Sequence, residues 1–171
     1  MKAQSTTTGE QLANALHALG VKFIMGGKSR GETLHQTPVR LITALAESDE
    51  ARLRLALIPL FLEHPEYSAH VREAAKNLDP SPRVTLQCYY SAAVFLQQIY
   101  HVKCNALIGE KQSLPDYFSH ELELFCSDDP EKKLSLLAKR HQVLSGAHIN
   151  WLGTYKHAMQ RWLIPLEKHK E

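Results

Sequence analysis

Apolar residues recur along most of the chain at the three- and four-residue spacing of a single helix face, and few stretches alternate with period two. Leu12, Ala15, Leu16 and Leu19 predict a helix over about 11–19, which Gly20 stops. Pro38 is placed to open a second, with Val39, Leu41, Ile42 and Leu45 as its buried face. Leu53, Leu57, Leu60 and Phe61 mark a third, capped by Ser48, Asp49 and Glu50 and bent by Pro59. Val71, Ala74, Ala75 and Leu78 mark a helix over 68–78, broken by Asp79-Pro80-Ser81-Pro82. From about 82 to 107, Leu86, Tyr89, Tyr90, Ala93, Val94, Leu96 and Ile99 cover much of the circumference, which places that helix centrally.

A short helix is predicted over 113–124, after Leu114-Pro115. Asp128-Asp129-Pro130-Glu131 opens the next, with the stripe Leu134, Leu137, Ala138, His141 and Leu144. The last, over about 150–168, sets Trp151, Tyr155, Ala158, Trp162 and Leu166 on one face. The pattern predicts an all-α fold, a single-domain bundle of six to eight helices. Residues 1–8 read as a flexible polar tail and 9–171 as the helical domain. Val21 to Met25 reads as a short strand or extended segment, and 26–37 as a Gly-rich polar loop.

Composition narrows the class. At 171 residues, 44% hydrophobic and 22% charged, the chain has material for one core and needs no disulfide or metal to fold. The longest strongly apolar run, Leu53 to Leu62, is half the length of a bilayer span and contains Arg54 and Pro59. The opening MKAQSTTTGEQ lacks the apolar core of a secretory signal. Cys88, Cys104 and Cys126 are odd in number and widely spaced, as expected of reduced thiols in a cytoplasmic protein without membrane contact.

The candidate chemistry is sparse. Gly26-Gly27-Lys28-Ser29 resembles the end of a phosphate-cradling loop, but Lys22 stands where the first glycine is needed. Val21 to Gly27 is similar to the strand and Gly-Gly opening of nucleotidyltransferases, yet no pair of metal-binding carboxylates follows. His101 and Cys104 share a helix face, with His120 or Cys126 to complete a zinc site, but the spacing fits no known framework; no metal and no cofactor are expected. His141 lies on an apolar stripe and reads as a hydrogen-bonded core histidine. Arg30 and His35, in Arg30-Gly-Glu-Thr-Leu-His35, fit the loose Arg-to-His pattern of the HEPN ribonucleases. That resemblance implies an Arg for phosphate charge and a His for proton transfer.

Two further stretches resemble known proteins. Leu57-Ile58-Pro59-Leu60 and Val71-Arg72 with Ala74-Ala75 are similar to the two helices of a HEAT repeat, over residues 51–78 only. Ala56 to Leu62, Leu114-Pro115-Asp116-Tyr117-Phe118-Ser119 and Asn150-Trp151-Leu152-Gly153-Thr154-Tyr155 resemble a group of small helical bacterial proteins that accompany nucleotidyltransferases. That resemblance implies a toxin–antitoxin or accessory-subunit setting.

Charge gives the last signal. The net +2 averages over two unlike parts: residues 131–171 hold eight Lys and Arg against three Glu, a net +5, and residues 1–130 carry −3. A basic face beside aromatics suits an acidic protein or a phosphate backbone. The expected partner-binding residues are Lys139, Arg140, Trp151, Lys156 and Arg161. The sequence therefore predicts a non-catalytic helical interaction protein, a regulatory or accessory partner of another protein and antitoxin-like toward a nucleotidyltransferase. The alternatives are a HEPN-like ribonuclease using Arg30 and His35, or a nucleic-acid-binding regulator.

Overall fold

The computed structural model describes residues 7–21, 23 and 34–169. Arg30, most of the 26–37 loop, and all but the last two residues of the predicted tail lie outside the described residues. Thr8 belongs to the fold. Its side chain accepts a bond from the Gln11 amide (3.2 Å), while the Gln11 side chain accepts one from the Thr8 amide (2.9 Å). This reciprocal cap starts α1 (Gly9–Ala18). Gly20, at φ 77°, ends it in a conformation that suits glycine.

Pro38 opens α2 (Pro38–Glu47), which buries Leu41, Ile42 and Leu45 as its spacing requires. The next predicted helix is divided into α3 (Ala51–Leu55) and α4 (Leu57–Glu63). A proline ring clashes with the carbonyl four residues earlier, here that of Leu55. Restarting at Leu57 puts Pro59 in a first turn, where a missing N–H costs nothing. Every residue from Leu57 to Leu62 is buried. A 3₁₀ segment, Pro65–His70, then leads into α5 (Val71–Lys76).

The central helix is α6 (Pro80–Ile99), buried without interruption from Leu86 to Leu96. It packs against α2, α4, α5, α8 and α9, which explains why its apolar residues cover all sides. It turns at Tyr100 into α7 (His101–Ile108), with the Tyr100 amide still bonded to the Leu96 carbonyl.

No helix forms over 113–124, contrary to expectation. Residues 109–117 have no regular secondary structure and a set of turns follows. Side chains serve this backbone instead: the Leu114 amide donates to Gln97, the Pro115 carbonyl accepts from the Tyr90 hydroxyl, and Asp116 caps Ser119. The spaced apolar residues are buried all the same, with Leu114, Phe118, Leu122 and Leu124 packed into the core.

Asp129 caps α8 (Pro130–Ser145) by accepting from the Glu131 amide at 3.0 Å, and Gly146 at φ 71° ends it. The last helix, α9 (Trp151–His169), buries Tyr155, Ala158 and Trp162 on the expected face. Nine α-helical segments and two 3₁₀ segments build one domain among the described residues, with no strand. None of these helices is long and apolar enough to cross a membrane.

Candidate interaction face

The two faces of α8 are chemically opposite. Inward, Leu134, Leu137 and His141 are buried. Outward, at i, i+4, i+7 and i+11, stand Lys132, Leu136, Lys139 and Val143. Val143 is 69% exposed. The half-buried Leu136, with Glu131, Lys132, Ser135 and Lys139, lines a groove of about 370 Å³ together with Cys126. Phe125, 70% exposed, stands beside Cys126, its ring edge-on to that of His120 at 5.7 Å. Leu144, in the last turn of α8, is 41% exposed although the stripe predicted it buried, and Ile149 is exposed beyond the helix end. Neither Lys132 nor Lys139 forms an ion pair among the described residues.

Of the five residues expected on a binding face, only Lys139 lies on this groove. Arg140 is turned toward the segment before α8. Its Nε donates to the Leu122 carbonyl (3.1 Å), and its guanidinium pairs with Glu123 (3.3 Å), a residue held at φ 58°. Lys156 pairs with Glu131 at 3.7 Å. Arg161 is exposed, with its guanidinium 5.2 Å from the centre of the Phe23 ring. Trp151 is half-buried; its ring stacks on His141 with centroids 3.6 Å apart, and its Nε1 donates to the Ala147 carbonyl.

The His141 cluster is core. His141 Nδ1 lies 2.6 Å from the Tyr155 hydroxyl, and the Tyr89 ring meets the imidazole edge-on. Burial holds the imidazole down at about 4, so it is neutral at physiological pH. Burial also pushes the Tyr155 hydroxyl well above its usual value. A neutral, enclosed pair of this kind has neither the access nor the proton affinity of a general base.

The other candidate groups do not converge. His35 sits in a 3₁₀ segment, Leu34–Gln36, where its carbonyl accepts from the Tyr67 hydroxyl at 2.7 Å. His101 and Cys104 line a cleft on α7, whereas Cys126 lines the groove on α8. No group of three or more His, Cys, Asp or Glu among the described residues is arranged to hold a metal. All three thiols are free, and burial raises Cys88 to about 12 and Cys104 to about 11, which keeps both protonated and poorly nucleophilic.

No family model, curated protein or solved structure matches the chain. The resemblances to HEAT repeats and to nucleotidyltransferase-associated proteins thus rest on the sequence stretches alone.

Sequence reasoning missed Lys132, Leu136 and Val143 as one face of α8, and the exposed Phe125 near it. Three of the four were legible, because they recur at helical spacing on the reverse of the Leu134, Leu137 and His141 stripe. Phe125 was not, since it lies in the irregular segment before α8, next to the groove residue Cys126.

Proposed function

We propose that the chain is a non-catalytic helical interaction protein, a regulatory or accessory partner that engages an acidic, partly apolar protein surface through the outer face of α8. The observation that carries this reading is the alternation of lysine and apolar side chains, Lys132, Leu136, Lys139 and Val143, along one exposed helix face beside Phe125. Exposed apolar residues grouped with uncommitted cations are what a partner surface requires, because the apolar part supplies affinity and the charges set register and encounter rate. The three stretches similar to nucleotidyltransferase-associated proteins make such an enzyme the first partner to test, with the helical bundle masking or positioning it.

The experiment is titration calorimetry of a purified bacterial nucleotidyltransferase against wild type, Lys132→Glu/Lys139→Glu and Val143→Ser. Wild-type binding weakened at least about tenfold by either change, which is about 1.4 kcal/mol, supports the face. Wild-type binding that both variants retain relocates the interface. RNA cleavage by the wild type that disappears in His35→Ala overturns the non-catalytic reading in favour of the ribonuclease.

A further inference from the structure

A second concave site lies away from the α8 face, where α6 passes into α7. One wall crosses the turn at Tyr100, with Gln98 from the last turn of α6 and His101 and Asn105 from α7, all three exposed. The opposite wall is the start of the irregular segment after α7, carrying Glu110, Lys111 and Ser113. Leu62, Cys104 and Ile108 make the floor, and the first two are buried. The cleft measures about 330 Å³, within the range of small-ligand sites.

The second wall is held in place. Gly109, at φ 79° and ψ 174°, takes a conformation that only glycine adopts readily, and it folds the chain back along α7. Gln97 then grips that chain at two points: its side-chain oxygen accepts from the Leu114 amide (2.8 Å), and its nitrogen donates to the Gln112 carbonyl (3.0 Å). The Gln112 side chain in turn donates to the Pro65 carbonyl. A wall fixed by three such bonds is preorganised, which lowers the ordering cost of binding.

The lining groups define a complementary ligand. Glu110 offers a carboxylate to an ammonium group and Lys111 an ammonium to a carboxylate, and neither is in an ion pair among the described residues. The amides of Gln98 and Asn105 can each donate and accept, as a peptide group requires of its partner. The floor is apolar and admits an aliphatic side chain. We propose that this cleft binds a small zwitterionic peptide, a dipeptide of aliphatic residues, with its ammonium on Glu110, its carboxylate on Lys111, its peptide group on the helix amides and a side chain on the floor.

The test is a ¹H–¹⁵N NMR titration of the full chain with Leu-Leu, with free leucine, and with N-acetyl-Leu-Leu-amide, which has the same shape and neither charge. The expected result is saturable shifts at Asn105, Gly109 and Ser113 with Leu-Leu at a dissociation constant below about 1 mM. Affinity for the uncharged analogue and for free leucine should be at least about tenfold weaker. Lys111→Glu should weaken Leu-Leu binding by a similar factor, and Asn105→Trp should abolish it by filling the cleft. Both substitutions fall on exposed positions, and unchanged circular dichroism confirms that the fold is retained. No shift at these amides, equal binding of the uncharged analogue or of free leucine, or indifference to Lys111→Glu overturns the assignment.

Discussion

His141 shows how one buried ring makes the stability of this bundle depend on pH. Its contacts are Tyr155, Tyr89 and Trp151, none charged at neutral pH, and its side chain is 2% exposed. Desolvation disfavours the imidazolium in the folded state alone, so the folded value falls to about 4 from the usual 6.5. A group whose affinity for protons is lowered by folding contributes fully above the unfolded value and loses that contribution as pH falls toward the folded one. Between pH 6.5 and 4 the unfolding free energy should therefore drop, with His141 accounting for on the order of 3 kcal/mol. Urea denaturation of wild type and His141→Gln at pH 7 and pH 4.5 isolates this share. The wild type should lose more stability than the variant; equal losses would show that the ring does not titrate as argued.

At the scale of elements, the segment from Gly109 to Asp129 is both the least legible part of the chain and the one that walls both concave sites. Leu114, Phe118 and Leu122 recur at i, i+4 and i+8, which is why a helix is expected there. All three are buried, so the pattern reported burial correctly. Periodicity does not report what satisfies the backbone, and here Gln97, Tyr90 and Arg140 do so from α6 and α8. The helices were legible because their backbones satisfy themselves. Even the division at Ala56 follows from Pro59, whereas nothing in the sequence marks the turn at Tyr100. An irregular run held by side-chain bonds makes a local prediction. In Gln97→Ala the Leu114 amide loses its acceptor, so its hydrogen exchange should accelerate at least about tenfold, and global stability should fall by about 1–2 kcal/mol. Exchange at Ala93, deep in α6, should follow only the global change. Unaltered exchange at Leu114 would mean that apolar packing alone holds the segment.

Taken as a whole molecule, the basic C-terminal quarter is less of a unit than its net +5 suggests. Sequence position groups Lys139, Arg140, Lys156 and Arg161, but folding sends Arg140 to Glu123, Lys156 to Glu131 and Arg161 to the Phe23 ring. What remains on one face is Lys132 and Lys139, two helical turns apart at about 10.5 Å along the axis. This spacing bears directly on the nucleic-acid alternative. Affinity for a duplex grows with the number of phosphates neutralised, and the logarithm of the binding constant falls with that of salt by about 0.9 per phosphate. Two lysines predict a slope near −1.8 and binding too weak to detect at about 0.15 M salt. Fluorescence anisotropy with a labelled duplex, from low to physiological salt, measures both quantities. Tight binding with a slope of roughly −5 or steeper would require the dispersed cations to act together, and would displace the protein-binding reading of the α8 face. A shallow slope with weak binding leaves the lysines free for an acidic protein surface, where two charges set register and the exposed Phe125 and Val143, with the half-buried Leu136, supply the affinity.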